Sequence, residues 1–285
     1  MNEMSWFITG SSRGFGRALA VAALESGDRV AATARNPEQL AELTERFGER
    51  VLPLALDVTD ATAVGEALRQ ASVAFGRLDV VVNNAGYANV SPIETTPDAG
   101  FRTQFETNFW GVYNVSRAAI PILRTQGGGQ IVQFSSVGGR VGGSPGIASY
   151  QAAKFAVDGF SRVLQVETAP FGITVMVVEP SGFATDWAGS SMTVHDVPEG
   201  YEQTVGAMNS RMRQTTAGPA GDPVRAAEII VRTVHAENRP THLLLGVNAV
   251  QMALDYSRRQ LDEASAWAAV GRSADFDQPY PVDLP

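Results

Sequence analysis

Tyr150 and Lys154 stand four residues apart in a stretch of helical spacing, Ser149 to Ala169, so they share one helix face, one turn apart. A free phenol titrates near ~10 and exchanges protons poorly at neutral pH. A neighbouring ammonium favours the phenolate, which brings the pair toward acid–base exchange with an alcohol or carbonyl. A second group, Thr9-Gly10-Ser11-Ser12-Arg13-Gly14-Phe15-Gly16, joins an apolar run to a helix-like one. Glycines there permit a tight turn and close approach of the main chain to a phosphate, and the helix N-terminus supplies free N–H groups and partial positive charge. A third is Ala34-Arg35, where a small side chain and a guanidinium end the second apolar run. Together they describe proton transfer beside a phosphate-bearing group.

These residues need a scaffold, and the chain alternates short apolar runs with longer helix-period runs. Strands are expected at Trp6–Thr9, Arg29–Thr33, Val51–Ala55, Leu78–Val82, Ile131–Phe134, Ile173–Val178 and His242–Leu245. Helices are expected at 17–26, 37–47, 61–75, 100–125, 149–169, 223–236 and 250–269, with Pro121 kinking or ending the fourth. The strands are continuous Val/Ile/Leu runs, the pattern of strands covered on both faces. This predicts an α/β fold, a Rossmann-like doubly wound parallel sheet of about seven strands. The whole of 1–285 reads as one domain with a polar, Gly/Pro-dotted lid at about 183–218 and a C-terminal extension at about 246–285.

The 285 residues carry 22 Lys+Arg against 30 Asp+Glu, a net charge of −8, which argues against nucleic acid as a partner. With no cysteine, a disulfide framework, a thiolate zinc site and a cysteine nucleophile are all excluded, and no metal site is expected. No run approaches the ~18 apolar residues of a membrane span. Met1 to Gly10 runs straight into a strand without a signal-peptide pattern, so a cytoplasmic protein is expected.

The Thr-Gly-x3-Gly-x-Gly loop, Asn83-Asn84-Ala85-Gly86 after the fourth strand and Tyr150-x3-Lys154, in this order, resemble the short-chain dehydrogenase/reductase family. The resemblance covers residues ~1 to 186 and weakens beyond them. It implies a nicotinamide cofactor and a tetrad of Asn108, Ser136, Tyr150 and Lys154, with Asn108 holding a relay water and Ser136 orienting the substrate oxygen. It also implies cofactor contacts from Gly10, Ser12, Arg13, Gly14, Phe15 and Gly16. Asp57 would meet the adenine, with Val58 beside it. Asn83 and the backbone of Ala85 and Gly86 would flank the adenosine ribose, with Asn84 among the cofactor residues. Pro180, Gly182 and Thr185 would lie along the nicotinamide half. The sequence departs from the family in one spacing. Ser136 precedes Tyr150 by fourteen positions rather than thirteen, a difference that the glycine-rich 137–146 segment can absorb. Ser135 is the competitor, on the opposite strand face.

An NAD-binding chain of this fold places a carboxylate at the end of strand 2. Ala34 leaves room for a 2′-phosphate instead, and Arg35, with Arg13 at the family's second basic position, would bind it. The expected activity is NADP(H)-dependent reduction of a ketone or aldehyde, or its reversal. A non-catalytic NADP(H) sensor and an epimerase or dehydratase are the alternatives. In the lid, Phe183, Trp187, Met192, Val194, Tyr201, Val205, Met208 and Met212 suggest a bulky, largely apolar substrate, while His195, Arg211 and Arg213 could meet an anionic group. In the family the helices at 100–125 and 149–169 pair across a two-fold axis, so a homodimer or homotetramer is expected.

Overall fold

The computed structural model describes residues 3–185, 192–215 and 221–285, with side chains omitted at 212–215. Seven parallel strands form one sheet: β1 (Ser5–Ile8), β2 (Arg29–Ala34), β3 (Val51–Ala55), β4 (Val80–Asn83), β6 (Gly129–Phe134), β7 (Ile173–Pro180) and β9 (His242–Leu245). Their order is β3-β2-β1-β4-β6-β7-β9. Successive residues face opposite layers. Trp6 and Ile8 join one apolar cluster, with α1 (Gly14–Glu25) and α9 (Pro223–His235), while Phe7 joins the other, with α3 (Ala61–Phe75) and α5 (Gly111–Thr125). All four β1 residues are fully buried, so an unbroken apolar run is what this position requires. The order reverses between β1 and β4, which opens a crevice at their carboxyl ends, where the glycine loop and Asn83–Gly86 emerge.

Local signals set the helix starts. Asp60 accepts from the N–H groups of Thr62 and Ala63 to start α3, and Asp222 does the same for Val224 and Arg225 ahead of Pro223. The expected helix over 100–125 is broken instead. α4 (Asp98–Phe105) runs into a π-helical turn, Glu106–Trp110, before α5. Pro121 lies inside α5 without ending it. A second sheet was not anticipated: β5 (Ala88–Val90) pairs in parallel with β8 (Met192–Val194), fastening the lid beside the crevice. α6 (Gly138–Val141) follows β6, and α7 (Ala148–Thr168) carries the Tyr-x3-Lys pair. Beyond α8 (Ala207–Thr215), α10 (Val247–Ala266) and α11 (Ala268–Arg272) form the C-terminal extension, and α10 buries only Ala249 and Ala253.

Candidate active site

The glycine loop is built for close approach. Gly10 and Gly14 hold φ of +69° and +56°, and a Cβ on Gly16 would sit 2.2 Å from the Gly10 carbonyl oxygen. Thr9 fixes the loop to the β4 end: its hydroxyl donates to Val82 O and accepts from the Asn84 and Ala85 N–H groups. Asn84 donates from Nδ2 to the Thr9 and Gly10 carbonyls, so its side chain seals the loop rather than facing a ligand. Arg13 is extended ahead of α1, and among the described residues no side chain caps that helix, whereas α3 and α9 are capped by aspartates. A glycine-lined, uncapped helix start fits a pyrophosphate. Thr185 crosses over it, its Cβ 3.7 Å from where Gly14 would carry one. Ser12 is half-buried in the same loop, and Gly182 is exposed at the start of the crossing segment.

Several expected cofactor side chains point elsewhere. The Phe15 ring packs between Phe134 and Phe183, which leaves its main chain for a phosphate. Val58 is buried under α5, where a Cβ on Gly111 would meet it at 2.5 Å. Asn83 turns into the core and donates to Ser116 rather than bordering the crevice. Pro180 ends β7, and its carbonyl accepts from Val137 N–H. Asp57 stays exposed and accepts from Thr59 N–H and Oγ1, which holds its carboxyl below the usual range, Arg35 adding to the effect. Arg35 is exposed beside Asp57 and Tyr87 and makes no ion pair among the described residues, while Ala34 is buried next to it.

The tetrad residues converge. Ser136 hydrogen-bonds the Tyr150 hydroxyl and accepts from Gly138 N–H at 3.0 Å. Ser135 is buried and donates to the Lys154 carbonyl, so it cannot take that place. The longer Ser136–Tyr150 segment is absorbed by Gly142, Gly143 and Gly146, at φ of +64°, +75° and +85°. Lys154, the only lysine in the sequence, donates from Nζ to the Phe134 carbonyl at 2.6 Å. A Cβ on Gly86 would meet Asn108 Oδ1 at 2.7 Å and Lys154 Nζ at 3.7 Å, so all three meet at one corner.

One expectation about this corner changes. Burial pushes the Tyr150 phenol up to about 12, against the lowering hydrogen bond with Ser136, and burial brings the Lys154 amine down to about 8. The phenol therefore shifts upward rather than down as expected, because desolvation dominates both groups, with Nζ 5.8 Å from the ring centroid. Asn108, in the π-helical turn, spends its amide on Tyr87, accepting from its N–H at 3.0 Å and donating to its carbonyl at 2.8 Å. The side chain therefore clamps Tyr87 at this corner. Gln104, buried on α4, donates to the same Tyr87 carbonyl and was not visible in the motif pattern.

From the lid, Met192, Val197, Tyr201 and Val205 pack with Ala88, Val90 and Ile147 on the Tyr150 side chain, and Tyr201 donates to Glu94 at 2.7 Å. Phe183 packs on Phe15 instead, and Val194 is exposed. Met208 is half-buried and Arg211 exposed. His195 borders a cleft with Asn89, Ser91, Thr96 and Ser149. Trp187 and the side chains of Met212 and Arg213 lie outside the described residues.

A parallel sheet with a glycine loop after β1 and a Ser-Tyr-Lys-Asn corner at its carboxyl edge matches comparison with known proteins. The short chain dehydrogenase family matches residues 5–194, and the chain belongs to that family of oxidoreductases. The chain is 51% identical over 249 residues to Oxidoreductase BOA17 of Botryotinia fuckeliana, covering 87% of this chain and 90% of that one. A short-chain dehydrogenase from Streptomyces avermitilis has a structure similar to this one, at a TM-score of 0.89 and 36% identity, covering 97% of this chain and all of that one. An alcohol dehydrogenase from Thermococcus sibiricus, complexed with 5-hydroxy-NADP, is similar at a TM-score of 0.70 and 26% identity, covering 86% and 96% of the two chains.

Proposed function

We propose that the protein is an NADP(H)-dependent carbonyl reductase or alcohol dehydrogenase acting on a bulky, largely apolar ketone, aldehyde or secondary alcohol. The observation that carries this reading is the buried Ser136–Tyr150 hydrogen bond beside Lys154, at the sheet edge next to the uncapped glycine loop. The nicotinamide, when bound, supplies or accepts the hydride. Burial keeps Tyr150 protonated at neutral pH, the form that donates a proton to a carbonyl oxygen as it gains charge. Ser136 donates a hydrogen bond to that oxygen and fixes its direction. Lys154, held on the Phe134 carbonyl, places a cation near the phenol and favours its ionised form after the transfer. The apolar wall from Met192, Val197 and Val205 excludes water from the reacting oxygen and suits a hydrocarbon substituent.

Ala34 in place of a carboxylate, and Arg35 without an ion pair among the described residues, support NADP(H) over NAD(H), as does the NADP analogue held by the Thermococcus relative. Action in the cytoplasm and assembly as a homodimer at least belong to the same proposal. Among the described residues no helix is long and apolar enough to cross a membrane. The direct experiment is Tyr150→Phe assayed with a panel of ketones and aldehydes. Carbonyl-dependent NADPH oxidation should vanish while NADPH still quenches protein fluorescence. Near-normal turnover would remove Tyr150 from its role, and NADPH binding by the wild type without turnover of any carbonyl would favour the sensor reading.

A further inference from the structure

The clamp on Tyr87 has a second member that the mechanism above does not use. Gln104 is fully buried on α4, one turn before Asn108. Its Nε2 donates to the Tyr87 carbonyl at 2.9 Å, the oxygen that also receives Asn108 Nδ2 at 2.8 Å. The two amides thus occupy both acceptor positions of one carbonyl. At its other end, Gln104 Oε1 accepts the hydroxyl proton of Ser149, the residue directly before Tyr150. A buried amide is costly unless its polar atoms are engaged, and this one is engaged at both ends by segments of the site rather than by its own helix. Tyr87 in turn follows Gly86, around which Asn108 and Lys154 meet. One side chain therefore ties the first turn of α7 to that corner.

We propose that Gln104 is a positioning residue for proton transfer, setting the start of α7, and with it Tyr150, against the Asn108–Lys154 corner. The proposal rests on the reading of Tyr150 as proton donor, but its geometric part can be tested without turnover. Lys154 is the only lysine, so a lysine-labelled protein gives a single side-chain amine signal in nuclear magnetic resonance. In the wild type without cofactor that signal should titrate near about 8. Gln104→Leu removes both bonds. Gln104→Glu keeps the acceptor for Ser149 and donates to the Tyr87 carbonyl only while the introduced carboxyl is protonated. Thr103→Val, on the exposed side of α4, is the control.

In Gln104→Leu the lysine midpoint should move by roughly half a unit or more, with no movement in the control. With NADPH and 2-decanone, kcat should fall about tenfold while the NADPH dissociation constant stays within about twofold, as expected of a misplaced reacting group. Gln104→Glu should work near the wild-type rate in acid and lose activity as pH rises through the range of the introduced carboxyl, a limb that lies below the one the wild type owes to Lys154. If Gln104→Leu does not fold, Gln104→Glu and Ser149→Ala carry the same two measurements. An unchanged lysine titration in these variants overturns the proposal, as does a wild-type pH profile in Gln104→Glu. Should the wild type bind NADPH yet reduce no carbonyl, the functional reading falls, and the lysine titration still decides on Gln104.

Discussion

Lys154 is held in the site at a cost to the fold. Its amine titrates near about 8 when folded against 10.5 when unfolded, because burial disfavours the charged form. Between those values the unfolded chain carries a proton that the folded chain has shed, so this group makes stability rise with pH there, and its full penalty applies below 8. Relative to the wild type, Lys154→Met should therefore be more favoured at pH 7 than at pH 10, the difference in stability shifting toward the wild type as pH rises in urea titrations. At the cofactor end, Ala34→Asp with Arg35→Ala should weaken NADPH binding about ten- to a hundredfold and bring NADH level or ahead, read by fluorescence titration. Wild-type protein binding both cofactors equally would sink that reading. These residues were legible because their signals are local: a four-residue spacing, a glycine loop, a missing carboxylate. Gln104 was not, because its partner Ser149 lies 45 positions away, and the inward turn of Asn83 toward Ser116, 33 away, was hidden for the same reason.

At the scale of elements, the break between α4 and α5 is where the site departs from ideal geometry. Periodicity alone reads Gly100 to Thr125 as one helix, since one widened turn leaves no breaker in the composition, yet that turn places Asn108 against Tyr87. The β5–β8 pair was equally silent in the sequence, because each strand has three residues and its partner lies about a hundred positions away along the chain. By contrast, the seven long strands and the aspartate caps stand in the pattern of residues itself. The glycines divide in the same way, by environment. Gly16→Ala forces a Cβ to 2.2 Å from the Gly10 carbonyl, and that backbone cannot yield without deforming the loop. A loss of about 2 kcal/mol or more and of cofactor binding is expected. Gly65, inside α3 with nothing within 4 Å of an added Cβ, should gain about 0.5–1 kcal/mol as Gly65→Ala in the same unfolding assay.

For the whole molecule, the end of α4, the π-helical turn, α5 and α7 present a run of rings in mutual contact, Phe105, Phe109, Trp110, Tyr113 and Phe160, with Trp110 45%, Val163 57% and Val166 75% exposed. A second copy across a two-fold axis would cover this face. Light scattering at micromolar concentration should give a dimer's mass or more for the wild type and half the dimer's mass for Val163→Arg with Val166→Arg, and a monomeric wild type refutes the assembly. The strand order also bears on how the chain is made. β7 lies between β6 and β9, and β9 is supplied only by His242 to Leu245. As the chain leaves the ribosome from its N-terminus, the outer edge of β7 stays bare, its amides and carbonyls open to any passing strand, until the last part of the polypeptide arrives. A nascent chain stalled before residue 242 should therefore be a far stickier object than the finished protein, and cells making it slowly would depend on chaperones at that interval.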